Sequence, residues 1–419
     1  MAPMDRPLTG QTIRVTAALV VLDSGTVVPN GSVIVHGGQV VEVDAAEAHK
    51  KIAADITIRL PGHVLHPGFV NVHAHLELSY MKGRLAPKAP FADWIRRLIA
   101  LRAKTKPAAA VRHAVMGANR LARTGCCTVA DVTQTGCAIP ALAALGLRGV
   151  IFHEVIGFNP DLAREKLSDL AQRMEEGGKL GGMLLHGAAP HAVYSTSGEL
   201  IKSSAEMAHA LGAPLSVHLA ETAEEETFST KGTGPLAELL KDMGSYNRLW
   251  IPKARPLKVL QKQDALAGAL LAHCNHVSAE DITAMKKAGA AVAYCPGSNQ
   301  WFGRTGPHPL MSIIAKGIPV GLGTDSLASN GDLDMRREMR LLMEKFGDIT
   351  VAEAFYMATE GGAKALGMGK DAGTLRPGAP FDATAIKLSI GRNGGPFARI
   401  IGSKSGYVRT WVAANPVTL

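Results

Sequence analysis

The stretch Val70 to Ser79, VNVHAHLELS, places His73 and His75 one residue apart at the end of an apolar run. In a strand, residues i and i+2 point to the same face, so both imidazoles lean toward one point. Residues of matching chemistry close other apolar runs: His191 in HGAAPHAVYS, His218 and Glu221 in SVHLAET, His273 and His276 in LLAHCNHV, and Asp325 in VGLGTDS. Three imidazoles and one carboxylate suit zinc or ferrous iron, and such an ion lowers the pKa of bound water to about 7. Asp325 can then orient the hydroxide and receive its proton, while His273 hydrogen-bonds the same oxygen. Glu221, three residues past His218, is placed to carry a proton to a substrate ring nitrogen or leaving group.

Each residue alone has a plainer explanation. A single histidine after an apolar run is usually packed or hydrogen-bonded, Asp325 could cap a helix beginning near Asp332, and Glu221 could open an acidic first turn. The run Glu224 to Glu226 is read as such a solvated helix start. For the others, the joint placement at strand ends, in types that together make a metal site, outweighs these readings.

The elements that must hold them are legible from periodicity. Eight apolar runs read as strands: FVNVHAH, TVADV, GVIFHEV, GMLLHGAAPH, PLSVHLAET, ALLAHCNHV, AVAYCP and PVGLGTDS, alternating with amphipathic stretches such as AAAVRHAVMGANRLARTG. Eight βα units predict an α/β protein built on a TIM-like (β/α)8 barrel over residues 66–366, with an open doubly wound sheet as the alternative. Before it, IRVTAALVVLDSG, GSVIVHGGQVVEV and DITIRL are broken by NG and GG turn signals, which predicts antiparallel hairpins over residues 1–65. After it, residues 367–419 return to strand and turn. The two chain ends are expected to assemble one small β-sandwich domain.

Composition bounds the function. The 419 residues are 47% hydrophobic and only 5% aromatic, which suits a packed α/β enzyme rather than a disordered chain. A net charge of +9 is modest at this length, and the basic residues are scattered, so no nucleic-acid partner is expected. No apolar run reaches ~18 residues and the N-terminus carries no leader pattern, so neither a membrane span nor secretion is expected. Cys126, Cys127, Cys137, Cys274 and Cys295 are odd in number and lack a C-x-x-C pair, which fits free thiols in the cytoplasm.

PGFVNVHAHLELS, VHLAETAEEETF, LLAHCNHV, CPGSN and GLGTDSLASNGDLDMRREMRLL together resemble the amidohydrolase superfamily, in its metal-dependent deaminase and chlorohydrolase branch. The resemblance extends through the Gly373 to Asp382 segment and spans nearly the whole chain. It implies His73, His75, His218 and Asp325 as metal ligands, Glu221 as catalytic acid/base, His273 as the water-orienting histidine and His191 as a substrate contact. No lysine closes a strand to bridge two metals, so one divalent ion is implied, zinc first and ferrous iron second. His153 and His186 receive no role, His63 and His66 read as structural, and His276 can point either into the site or away. Dimers are common in such barrels, so a homodimer is expected.

The branch fixes the reaction more closely than the substrate, a small nucleoside-like molecule. HLELS with Glu77 and Ser79, FADWIRRLI, and GTGPLAELL with Trp250 and Pro252 resemble the aminodeoxyfutalosine deaminases of menaquinone biosynthesis. The alternatives are methylthioadenosine, S-adenosylhomocysteine or adenosine deamination, and hydrolysis of another amino- or chloro-heterocycle. Glu77 is a candidate acceptor for a ribose diol or a ring substituent; otherwise it caps a turn or pairs with Lys82 or Arg84. Arg84, Arg96, Arg97 and Arg304 are candidates to meet a distal carboxylate. Gly297 stands where many relatives place a basic residue. From other classes, a non-catalytic metal scaffold would need neither Glu221 nor His273, and a nucleic-acid deaminase would carry H-x-E with P-C-x-x-C.

Overall fold

The computed structural model describes residues 10–388, 395–403 and 408–417. Residues 1–9, where no leader is read, and Tyr407 of the last strand pattern lie outside the described residues. The N-terminal strands are β1 (Thr12–Val21), β2 (Val27–Pro29), β3 (Gly31–His36), β4 (Gln39–Ala45) and β5 (Ile56–Pro67). Alternation along β1 buries Ile13, Val15 and Ala17. Gly37 and Gly38 join β3 to β4 with φ of 58° and 81°, the pair of positive values that a two-residue type I′ turn demands. The hairpin expectation holds for β1 with β3 and for β3 with β4, but β5 runs parallel to β1. Residues 46–55 carry the chain back across the sheet, so β5 joins the free edge of β1 in the same direction.

The eight runs expected as strands are present: β6 (Phe69–Ala74), β7 (Cys126–Thr133), β8 (Arg148–Val155), β9 (Leu184–Pro190), β10 (Ser216–Leu219), β11 (Leu270–His273), β12 (Ala291–Tyr294) and β13 (Val320–Leu322). They pair in chain order as two four-stranded parallel sheets, β6 to β9 and β10 to β13. The sheets meet at both edges through parallel bridges, Ala188 with Leu215 on one side and Ala74 with Asp325 on the other. Every residue of β6, β7 and β10 to β13 is buried, which explains why these strands read as continuous apolar runs rather than alternating ones.

The chain closes with β14 (Ala383–Lys387), β15 (Val408–Val412) and β16 (Asn415–Pro416). β14 lies antiparallel on β5, so both chain ends share one eight-stranded sheet with Val15, Val33, Leu65, Phe381 and Trp411 in its core. Asp382 fastens this sheet to the parallel layers: it accepts from Arg148 of β8 at 2.8 Å and from the Ala413 amide at 2.8 Å. All five cysteines are free thiols, four of them buried. Among the described residues no helix is long and apolar enough to cross a membrane.

Candidate active site

The strand ends bring the chemistry together. His73 lies on β6, His75 just past it, His218 on β10, His273 at the end of β11 and Asp325 three residues beyond β13. His75 Nε2 lies 3.2 Å from His73 Nε2 and 3.3 Å from His218 Nε2. Asp325 Oδ1 stands 3.8 Å from His73 Nε2 and 3.7 Å from His75 Nε2. All four side chains are buried. His273 and Asp325 adopt positive φ, 71° and 55°, a strained conformation for residues with a Cβ that turns each side chain inward at its strand's end.

The surroundings hold these groups in place. The Asp325 amide donates to His73 O at 2.9 Å, and Asn71 links the two segments through Thr324, donating to its Oγ1 at 2.8 Å and accepting from its amide at 3.1 Å. Ser329 Oγ donates to Asp325 Oδ2 at 2.8 Å, leaving Oδ1 to face the imidazoles. Burial holds His73 and His218 well below the ordinary imidazole pKa and therefore neutral, the form that binds metal. For Asp325 burial pushes the other way, but His273, His73 and His75 outweigh it and the carboxyl sits well below its usual range. Imidazole nitrogens converging this closely beside an ionised carboxylate fit a divalent cation. Neither helix-cap alternative applies: Asp334 caps the helix Met335–Lys345, and Thr222 caps the helix Ala223–Lys231.

Glu221 lies beside this cluster, 3.8 Å from His273 Nε2, and its other oxygen accepts from Arg304 at 3.0 Å. The Arg304 guanidinium sits over the Phe302 and Phe91 rings, 4.5 and 5.8 Å from their centroids. The solvated reading of Glu224 to Glu226 fails at Glu225, which is buried and accepts from the Glu221 amide at 3.0 Å. Burial pushes its carboxyl up to about 8.

A cavity of about 500 Å³ opens from His75, His191, His218, Glu221, His273 and Asp325. Its far wall is apolar: Phe91, Trp94, Ile95, Leu98 and Ile99 form one stripe of the helix Phe91–Lys104 and face Phe158, Leu239 and Leu240. Arg102, on the same stripe, and Lys166 are the cations of the lining. Of the arginines proposed from sequence, Arg96 is taken by Asp93 and Asp242 on the surface, and Arg304 is taken by Glu221. Glu77 lines the cavity but pairs with neither Lys82 nor Arg84. Its Oε1 accepts from Arg102 at 3.2 Å, and its Oε2 from Thr133 Oγ1, Thr135 Oγ1 and the amides of Gln134 and Thr135, at 2.7 to 3.2 Å.

Comparison with known proteins agrees with this arrangement. The amidohydrolase family profile matches residues 64–417. The chain belongs to the amidohydrolase family. It is 31% identical over 375 residues to the 5-methylthioadenosine/S-adenosylhomocysteine deaminase of Thermococcus kodakarensis, covering 86% of this chain and 82% of that one. Helicobacter pylori aminofutalosine deaminase, solved with methylthio-coformycin, shares the fold with a TM-score of 0.84 at 21% identity, over 97% of this chain and 100% of that one. An adenosine deaminase from Xanthomonas campestris with bound zinc does so with a TM-score of 0.82 at 22% identity, over 98% and 93%. The amidohydrolase described here is a hydrolase of carbon–nitrogen bonds.

In this amidohydrolase His276 turns away, into a neighbouring cavity of about 650 Å³ lined also by Arg304 and His308. His153 and His186 bond to each other at 2.9 Å, while His66 is buried against Phe69 and Phe355 and donates from Nδ1 to Pro67 O at 2.7 Å. At Gly297 a Cβ would overlap the Asn330 side-chain amide, so that amide would have to shift before any side chain could be accommodated. Sequence reasoning missed Arg102 and Glu154. Both were within reach: Arg102 continues the 91, 94, 95, 98 helical stripe, and Glu154 closes GVIFHEV as the other site residues close their strands.

Proposed function

We propose that this protein is a hydrolytic deaminase of an adenine-type nucleoside, with 6-amino-6-deoxyfutalosine, converted to futalosine and ammonia in menaquinone biosynthesis, as the first substrate to test. The carrying observation is the convergence of His73, His75, His218 and Asp325 beside Glu221 and His273 at the base of an apolar-walled cavity. His73, His75, His218 and Asp325 would hold one divalent ion, zinc before ferrous iron, which supplies a hydroxide at neutral pH. Glu221 would take up the proton released by the activated water and pass it to the ring nitrogen next to the amino-bearing carbon. Asp325 would take the remaining proton of that water's oxygen and return it to the amino group, which leaves as ammonia, and His273 would hydrogen-bond the same oxygen. His191 contacts the bound nucleoside from the cavity wall.

The stacked Phe91 and Trp94, 5.8 Å apart, give an apolar arm for an aryl group, and Lys166, with no ion pair among the described residues, can meet its carboxylate. The identity to methylthioadenosine/S-adenosylhomocysteine deaminases favours a second reading, in which that arm takes a thioether substituent. Ammonia release from aminodeoxyfutalosine, methylthioadenosine, S-adenosylhomocysteine and adenosine by zinc-loaded protein separates the two. An excess of about a hundredfold in kcat/KM for aminodeoxyfutalosine supports the first; a comparable excess for either sulfur nucleoside overturns it in favour of the second.

The bridges at both sheet edges support reading residues 66–366 as one closed (β/α)8 barrel. The register shift between Ala17 and Leu19 supports a bend that folds the terminal sheet, from 1–65 and 367–419, into a sandwich. A crystal structure with β9 and β10 apart would contradict the closure. We further read a cytoplasmic homodimer, on the free thiols and on family habit, which light scattering at micromolar concentration tests.

A further inference from the structure

We propose that Glu154 and His191 form a clamp for two neighbouring hydroxyls on the sugar of the substrate, a role that rests on the nucleoside reading above. Glu154 is the penultimate residue of β8, is 5% exposed and lines the same cavity as the metal-site histidines. Its Oε2 accepts from Gln134 Nε2 at 2.6 Å, whereas its Oε1 is buried with no hydrogen-bond partner. A buried carboxylate oxygen left without a donor is costly, and in a cavity wall it marks where a ligand donor belongs.

His191 supplies the second half. Ser195 Oγ donates to Ala192 O at 3.2 Å, so its 2.6 Å bond with His191 Nδ1 has the ring nitrogen as donor. That assigns the proton to Nδ1 and leaves Nε2 an acceptor. His191 Nε2 lies 3.9 Å from Glu154 Oε1, too far for a bond between them. Two acceptors facing one gap call for two donors held side by side, which is what a vicinal diol offers.

The obvious competitor is a second metal ion among Glu154, His191 and His218, whose ligand atoms cluster within 4.8 Å. His218, however, directs Nε2 to the first cluster, 3.3 Å from His75 Nε2, and holds Nδ1 at 3.2 Å from His191 O. Only two donors would remain, too few for a protein-held ion. Glu77 is the other carboxylate of the cavity, but its five hydrogen bonds leave it little capacity, so the diol role suggested by its position passes to Glu154.

The test compares adenosine with 2′-deoxyadenosine and 3′-deoxyadenosine on zinc-loaded wild type and Glu154→Gln, with zinc content and melting temperature measured on both. We expect wild type to favour adenosine over at least one deoxy analogue by about 10- to 100-fold in kcat/KM, the worth of a hydrogen bond to a charged group. Glu154→Gln should lose a similar factor on adenosine, less than about threefold on that analogue, and no zinc. Wild type indifferent to both hydroxyls overturns the clamp whether or not the variant folds. Equal losses on all three substrates, or loss of a zinc equivalent in Glu154→Gln, also overturn it. If zinc-saturated wild type deaminates no nucleoside, the reading of the preceding subsection falls and the clamp falls with it.

Discussion

Replacing Glu77 by Gln separates an anchoring role from a substrate-binding one. The Glu77 carboxylate is buried, holds Arg102 and receives four further donors from the Thr133 to Thr135 segment at the end of β7. A Gln keeps the shape but points an NH2 group at donors and removes the charge opposite Arg102. Breaking a buried pair costs about 3–5 kcal/mol, and Arg102 is 31% exposed, so the lower part of that range applies, about 3 kcal/mol. At about 2.1 cal/mol/K per residue, a chain of this length melts about 3 °C lower for that loss. The effect carries a pH signature. Burial raises the carboxyl, but Arg102 and the Thr135 and Thr133 bonds outweigh it, so the folded value lies below the model-compound 4.5. The stabilisation is therefore complete above about 4.5 and fades as pH falls through the folded value. Differential scanning fluorimetry of both proteins at pH 7 and pH 4 should show the gap narrowing at pH 4. A Glu77→Gln protein as stable as wild type at pH 7, but with kcat/KM reduced a hundredfold, would refute the anchor and return Glu77 to the substrate.

Three further outcomes follow from the geometry. Ser329→Ala removes the bond that aims Asp325 and should weaken zinc binding by about 10- to 100-fold in a chelator competition, while leaving every residue of the proposed metal set in place. Gly323→Ala places a Cβ 2.7 Å from His73 Cβ and 3.0 Å from its carbonyl, which should displace that imidazole and lower zinc affinity by at least about tenfold in the same assay. Glu225→Gln should stabilise the protein at pH 9 and leave it nearly unchanged at pH 5. The buried carboxyl titrates at about 8 when folded and near 4.5 when unfolded, so wild type loses stability, on the order of 5 kcal/mol, as pH rises between those values.

What the sequence made legible is the part written in strand periodicity. His73 and His75 announce themselves because i, i+2 spacing survives any register, and each later member of the proposed metal set closes its own apolar run. The pairing of β5 with β1 was not legible, because parallel or antiparallel entry depends on where residues 46–55 cross the sheet, a tertiary matter. Glu225 escaped because one acidic residue in a polar run carries no mark of burial; only the fold turns it under the Glu221 amide. The partner of Glu77 escaped for a similar reason. Lys82 and Arg84 are near in sequence, but Arg102, 25 residues on, is near in space.

The most direct test of the whole account is ammonia release from adenosine-type nucleosides by zinc-loaded wild type and Glu221→Gln at equal metal content. We predict turnover by wild type and a fall of about 100- to 10,000-fold in Glu221→Gln, the usual contribution of a positioned proton carrier. Equal rates for the two proteins, at matched zinc, would contradict it.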